Sequence, residues 1–132
     1  MTADVRTTAE AEIVTDTVEI STATALRWRA VCRYEQLQPE RGVAALLDDV
    51  QVALFRTQGG AVHAIGNIDP FSGAAVLSRG IVGDRCGVAT VASPVYKQAF
   101  DLVTGRCLDD PRITVPVYPV RVADGLLEVG LA

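Results

Sequence analysis

Residues 64–111 read AIGNIDPFSGAAVLSRGIVGDRCGVATVASPVYKQAFDLVTGRCLDDP, and the remainder of the chain is predicted to support this stretch. It contains two short polar segments rich in turn-forming residues, residues 66–73 and residues 92–101, the second closed by residues 104–106. Strand-like sequence lies on both sides of each segment. Because a rigid sheet commonly positions the loops that carry function, we take the two segments as the candidate site.

Two strands are predicted before the first polar segment. Residues 26–33 alternate apolar and basic side chains, which is the pattern of a half-buried strand. Trp28, Ala30 and Cys32 are expected on its inward face, with Trp28 as a core anchor. Residues 43–47 are predicted as another short strand, after a connection that contains proline and glycine.

Turn chemistry predicts two hairpins, residues 50–65 around a Gly-Gly step and residues 120–129 around an Asp-Gly step. Pro116 and Pro119 confine residues 113–122 to an edge or irregular strand, because proline cannot donate to a sheet ladder. We recognise no amphipathic helix. Short strands separated by glycine and aspartate turns predict an all-β antiparallel sandwich or barrel.

The composition indicates one globular domain, with 132 residues of which 49% are hydrophobic. No apolar run reaches the roughly 18 residues that a membrane span needs. A basic region followed by an apolar stretch, which would indicate secretion, is not recognisable at the N-terminus. The predicted location is therefore the cytoplasm, without a membrane partner.

The net charge of −4 is concentrated at the N-terminus. Residues 1–25 hold five acidic residues and one basic residue, and are predicted to form a flexible acidic tail, or else an arm that orders on a partner. Residues 26–132 carry eleven residues of each sign and are predicted to form the folded domain. A neutral domain exerts no net attraction on phosphate backbones, which argues against nucleic-acid binding.

The three cysteines, Cys32, Cys86 and Cys107, form no CxxC pair and are predicted to be free thiols that act as small buried hydrophobes. A disulfide between Cys86 and Cys107 remains an alternative. His63 is the single histidine, which argues against a closed zinc site. Its place in the strand pattern predicts a surface or edge position.

The order of motifs around the two polar segments resembles the Rieske iron–sulfur fold. The hairpin is followed by GNID in the first segment, and the second reads SPVYKQAFDLVTG. In the Rieske family the corresponding loops read Cys-x-His and Cys-Pro-x-His, the latter before Phe-Asp and Thr-Gly. Matching the Phe-Asp and Thr-Gly pairs places the four ligand positions on Asn67, Asp69, Ser93 and Tyr96.

None of these four residues is a usual ligand of a [2Fe–2S] cluster, which is held by thiolate and imidazole groups. A two-cysteine, two-histidine set cannot be assembled with one histidine. The resemblance therefore implies a Rieske-like domain whose cluster-binding type of subdomain, residues 64–111, is empty of metal.

Four strings in order make the resemblance more specific: GNIDPFSGA, LSRGIVGD, VASPVYKQAFDLVTGRCLDDP and VPVYPVRV. They resemble the small subunits of the cytoplasmic NAD(P)H-dependent assimilatory nitrite reductases. In that family the large subunit carries FAD, siroheme and a [4Fe–4S] cluster and binds NAD(P)H and nitrite. The resemblance implies an accessory subunit that supports reduction of nitrite to ammonium, with no catalytic site or redox centre of its own.

Without a metal, we expect polar contacts among the four residues at the ligand positions to link the two segments, with the Tyr96 ring filling the cluster volume. A purely structural role as turn formers is the alternative. Phe71 is predicted to be an exposed apolar anchor for a partner. Three basic residues are further candidates for docking: Arg79, Lys97 and Arg106.

Three other functions are alternatives to the accessory subunit. A Rieske-type ferredoxin that transfers electrons conflicts with the residues at the ligand positions. A stand-alone β binding module would need a convergent cluster of polar and aromatic residues, and the sequence shows none. An independent enzyme is disfavoured because no nucleophile and base form a recognisable pair.

Overall fold

Ten β-strands make up the computed structural model, which describes residues 26–132. The predicted acidic tail, residues 1–25, lies outside the described residues. The strands are β1 (Arg27–Arg33), β2 (Gly42–Leu47), β3 (Val50–Arg56), β4 (Val62–Gly66), β5 (Ile81–Arg85), β6 (Val88–Ala92), β7 (Ala99–Asp101), β8 (Val117–Tyr118), β9 (Val120–Ala123) and β10 (Leu126–Leu131). Single 3₁₀ turns lie at Tyr34–Gln36 and Leu77–Arg79.

The strands form three open antiparallel sheets, in the orders β1-β10-β9, β2-β3-β4-β8 and β5-β6-β7. The all-β prediction is confirmed. Across residues 26–132 there is no helix with the length and hydrophobicity of a membrane span.

Both predicted hairpins are present, as β3–β4 and β9–β10. In the first, only Gly60 of the Gly-Gly pair takes a positive φ, of 95°. In the second, Asp124 and Gly125 have φ values of 53° and 79°, which is typical of the tight turns that suit twisted strands. Strand β8 lies at the edge of its sheet between the two prolines, as predicted.

Strand β3 is buried on both faces and is shared by two hydrophobic cores. Val52 and Leu54 face the sheet β1-β10-β9, where they pack with Leu37, Ala64, Leu127, Val129 and Leu131. Ala53 and Phe55 face the sheet β5-β6-β7, where they pack with Ile65, Leu77, Val91, Phe100, Leu102, Cys107 and Val115. The alternation of side chains along one strand therefore joins the two halves of the domain.

The predicted inward face of β1 is only partly correct. Ala30 is exposed, and the register with β10 shifts between Ala30 and Cys32, so that Val31 and Cys32 both pack towards the core. Such an irregularity changes which side chains face inward. Trp28 is half-buried and outside both cores, with the Arg121 guanidinium 4.1 Å from its ring centroid, so its assignment as a core anchor was wrong.

The single histidine does not lie on an edge strand, and its side chain is only partly exposed. His63 is half-buried on β4, which pairs with β3 on one side and with β8 on the other. Partial burial lowers the pKa of its imidazole, and the nearby carboxylate of Asp101 opposes this shift.

All three cysteines are free, and the alternative disulfide is not formed. Cys107 is buried in the core that contains Phe100, as predicted for a small hydrophobe, and burial raises the pKa of the half-buried Cys32 thiol. Cys86 is exposed in the turn between β5 and β6, where its φ is 54°, so the prediction of burial was wrong for this residue.

Replacing Gly42 is expected to destabilise the domain, because a Cβ there would meet the Ser78 carbonyl oxygen and lie 2.7 Å from the Phe55 ring. Overpacking of this kind costs about 1–3 kcal/mol. Gly59 is the matched control, since a Cβ there meets nothing within 4 Å. Urea unfolding should show a lower midpoint for Gly42→Ala and no comparable loss for Gly59→Ala; equal stability of the two variants would contradict this packing.

The burial of His63 predicts a specific pH dependence of stability. Its folded-state pKa lies below the unfolded value of about 6.5, so the neutral imidazole is favoured by folding. This contribution is present above the unfolded pKa and is lost as the pH falls below it, because the unfolded chain then takes up the proton more readily. We expect His63→Gln to reduce the loss of stability between about pH 7 and pH 5. An NMR titration of the imidazole with a midpoint at or above the unfolded value would contradict the prediction.

Candidate functional site

The candidate site consists of two loops carried by the sheet β5-β6-β7. The first loop (residues 67–80) connects β4 to β5, and the second loop (residues 93–98) connects β6 to β7. Cross-strand pairing of Ala92 with Ala99 holds the ends of the second loop together. Phe100 on β7 is fully buried, which anchors this sheet in the core beneath the loops.

The first loop is closed by the side chains of Asn67 and Asp69, which are both buried. The Phe71 N–H donates to Asp69 Oδ1 at 2.8 Å, and the Gly73 N–H donates to the Asp69 carbonyl oxygen at 2.7 Å. The Ser78 N–H donates to Asn67 Oδ1 at 2.7 Å. These are the local bonds by which Asn and Asp stabilise turns, so the first loop holds its own shape.

The second loop is closed around Ser93, which is fully buried. Its N–H donates to the Gln98 carbonyl at 2.9 Å, and its carbonyl accepts from the Lys97 N–H at 3.0 Å. Its Oγ accepts from the Val95 N–H at 3.2 Å. Lys97 takes a positive φ of 69° and its Nζ donates to the Pro94 carbonyl at 3.1 Å, so this cation lies against the loop.

One buried hydrogen bond joins the two loops. The Ser93 hydroxyl donates to Asp69 Oδ2 at 2.5 Å, and neither side chain is exposed to solvent. A short bond from a hydroxyl to a carboxylate is among the stronger hydrogen bonds in proteins. A direct side-chain bond therefore lies between two of the four residues at which the Rieske resemblance places cluster ligands.

The remaining two predicted positions behave differently. Asn67 bonds within the first loop and does not reach the second. Tyr96 is 58% exposed, so the expectation that its ring fills the space between the loops was wrong. The Ser93–Asp69 bond links the two loops directly, without a contribution from the Tyr96 ring.

The residues predicted to dock a partner differ in their exposure to solvent. Phe71 is half-buried and its ring packs 6.2 Å from the Phe100 ring centroid, so its assignment as an exposed anchor was wrong. Arg79, Lys97 and Arg106 are exposed, and their contact with a partner stays a prediction.

Sequence reasoning missed two exposed apolar residues on the loops, Ile68 and Val95. Ile68 lies between the buried residues Asn67 and Asp69, and Val95 follows Pro94. The available signals were that Ile68 lies between two turn-forming residues and that Val95 follows Pro94, both inside loops rather than strands.

The residues at the ligand positions do not fit a [2Fe–2S] cluster. Ser93 Oγ and the carboxylate of Asp69 are engaged with each other and with backbone N–H groups. Within residues 26–132, no three His, Cys, Asp or Glu side chains come together to hold a metal ion. Serine and carboxylate oxygens are hard donors, whereas the cluster requires thiolate or imidazole.

Removing the bond between the loops should loosen them without unfolding the domain. We expect Ser93→Ala to cost about 1–3 kcal/mol, because the buried Asp69 oxygen loses its partner. Ser72→Ala is the control, since Ser72 Oγ accepts only the N–H of Ala74 in its own loop at 3.2 Å. Amide hydrogen exchange should rise in both loops for Ser93→Ala and in the first loop alone for Ser72→Ala. Unchanged exchange in Ser93→Ala would show that the link is not needed.

Comparisons with known proteins agree with the fold. The model of the Rieske-like [2Fe-2S] domain family matches residues 27–130. The small subunit of the NADH nitrite reductase of Escherichia coli K12 is 44% identical over 104 residues, which cover 78% of this chain and 96% of that protein. The large subunit of a Klebsiella oxytoca NAD(P)H nitrite reductase is 42% identical over 103 residues, covering 78% of this chain but 11% of that protein.

Among solved structures, an NADH-dependent nitrite reductase small subunit from Mycobacterium tuberculosis is 59% identical with a TM-score of 0.80, and the match covers 83% of this chain and 98% of that one. Sequence and backbone similarity therefore extend over nearly the whole described domain, including both loops. The chain belongs to the Rieske-like domain family and, within it, to the small subunits of NADH-dependent nitrite reductase.

Proposed function

We propose that this chain is the accessory small subunit of a cytoplasmic nitrite reductase and supports NAD(P)H-dependent reduction of nitrite to ammonium during nitrate and nitrite assimilation. The observation that carries the proposal is the 44% identity to a small subunit of which 96% is matched. The chain acts by contact with the large subunit. FAD, siroheme, the [4Fe–4S] cluster and the NAD(P)H site belong to that large subunit.

The polar groups of the two loops support a role without independent catalysis. Ser93 and Asp69 are buried and bonded to each other, so neither is available to a substrate. His63 lies half-buried on β4, outside both loops. The Asp69 carboxylate could serve as a base for the Ser93 hydroxyl, but both side chains are fully buried, so the pair is closed to a substrate.

Physical association with the large subunit is supported by the Klebsiella relative, in which a matching segment is part of a large-subunit chain. The positions of the two domain ends suit either a separate small subunit or a segment that is part of a large-subunit chain. Arg27 pairs with Leu131, and Arg27 Nη2 donates to the carbonyl of Ala132 at 3.0 Å. The two ends of the domain therefore lie side by side, so attachment to a longer chain requires no change in the fold.

The alternatives require features that the described site lacks. A ferredoxin needs soft ligands at the loop positions, where serine and carboxylate oxygens lie instead. A stand-alone binding module needs polar groups that converge on a cavity, whereas those of the loops point inward to each other.

The proposal predicts that this chain and the large subunit from the same source form a complex that co-elutes in size-exclusion chromatography. Nitrite-dependent NADH or NADPH oxidation by the large subunit should rise when this chain is added. The isolated chain should contain no iron and oxidise no NADH. Failure of the two proteins to associate, together with unchanged activity, would refute the proposed function, and stoichiometric iron in the isolated chain would favour the ferredoxin.

A further inference from the structure

An apolar cleft lies beside the edge strand β8. It has a volume of about 340 Å³ and is lined by residues of β4, β8 and β9 and of the turn that follows β7. Val103 and Val117 belong to its lining and are 64% and 43% exposed. Contact of such apolar surface with water is unfavourable, so an apolar segment that covers the cleft lowers the free energy of the chain.

The chain enters the folded domain next to this cleft. Leu26 precedes β1, and its Cδ1 lies 3.2 Å from the position that a Cβ on Gly130 would occupy. Pro119, which lines the cleft, has its Cγ 3.0 Å from the same position. Leu26 and Pro119 are therefore neighbours, and the sequence that precedes Leu26 joins the domain at the rim of the cleft.

The sequence before Leu26 contains one segment whose composition suits an apolar cleft. Residues 13–20 read IVTDTVEI, and four of these eight side chains are valine or isoleucine. Residues 1–25 hold only one further valine, isoleucine or leucine, which is Val5. Six of the eight residues are β-branched, a side-chain type that packs well against the surface of a sheet. Residues 13–20 are therefore the candidate occupant.

The connection between this segment and the domain is short. Residues 21–25 join residues 13–20 to Leu26, and five residues span at most about 17 Å. A segment held by such a linker has an effective concentration on the order of 1 mM at a surface within its reach. A contact that is too weak to form between separate molecules can therefore be occupied within one chain.

The charges near the cleft give no strong attraction or repulsion. The segment carries Asp16 and Glu19, and among residues 26–132 no lysine, arginine or carboxylate lines the cleft. The Asp101 carboxylate lies beside the cleft and accepts the N–H groups of Val103 and Thr104 at 2.7 and 3.2 Å. Burial of aliphatic side chains, rather than ion pairing, is therefore the driving force for a contact here.

We propose that residues 13–20 bind in this cleft of the same chain, with their aliphatic side chains against Val103 and Val117. The contact covers an apolar surface of the isolated subunit, and it is separate from the proposed function. The same segment of a second copy is the competing occupant, because an exchanged segment would make the same contacts between two molecules.

Nuclear Overhauser effects between methyl groups test the contact in the full-length chain without any partner. We expect effects between the methyl groups of residues 13–20 and those of Val103 and Val117, at low and at high protein concentration alike. Mixing isotope-labelled with unlabelled chains separates contacts within one molecule from contacts between two. Absence of these effects in the wild-type chain would refute the inference, as would effects that arise only between two molecules.

Substitutions within the segment provide a matched pair. The double variant Val18→Asp and Ile20→Asp should lose the effects and shift the methyl resonances of the two cleft valines, because charged side chains are not accommodated against apolar surface. The double variant Thr15→Asp and Thr17→Asp adds the same charge at polar positions of the segment and should retain the effects. Equal spectra of the two double variants at the cleft valines would contradict the proposed contact.

A substitution in the cleft tests the other side of the contact. Val103→Glu should remove the effects that join residues 13–20 to Val117. Val122→Glu is the control, since Val122 is 50% exposed on β9 and does not line the cleft. Urea midpoints establish that both variants are folded, and retention of the effects in folded Val103→Glu would refute the inference. The proposed function is tested separately, because these experiments contain no large subunit.

Discussion

The constraint on which the rest of the domain depends is the burial of β3 on both faces. Val52 and Leu54 complete one core, and Ala53 and Phe55 complete the other, with all four side chains fully buried. Each buried aliphatic or aromatic side chain contributes roughly 1.5–3 kcal/mol. Because both cores share this strand, the sheet beneath the loops cannot shift against the other two sheets without a loss of packing on each side.

The fixed sheet explains how the two loops close without a metal. Ala53 and Phe55 pack against Phe100 of β7, which holds the base of the second loop, while β4 leads directly from the β3 hairpin into the first. Because the bases of both loops are held, Ser93 Oγ lies 2.5 Å from Asp69 Oδ2. The oxygens of the buried Asp69 carboxylate accept hydrogen bonds, and these offset part of the free energy that is lost when the group is removed from water.

The sequence predicts those features that depend on local chemistry. The Asp124-Gly125 turn, the proline-limited β8 and the turn-forming roles of Asn67 and Asp69 are readable because each follows from one side chain and its own backbone. Burial set by distant elements was not predicted. Trp28 lies outside the cores because β1 shifts register, and Phe71 is covered because Phe100 lies beneath it. The run of four apolar residues at 52–55 was the available sign of a strand buried on both faces.

The same geometry separates the two sides of the candidate site. Ser93 and Asp69, at two of the cluster-ligand positions, point inward and form a hydrogen bond with each other. Neither group is therefore free to bind or activate a substrate. The hydrophobic side chains between and beside them, Ile68 and Val95, are thereby directed outward. Exposed aliphatic groups on rigid loops lower the free energy only when a partner covers them. The bond that closes the two loops is therefore compatible with exposure of neighbouring apolar residues to solvent.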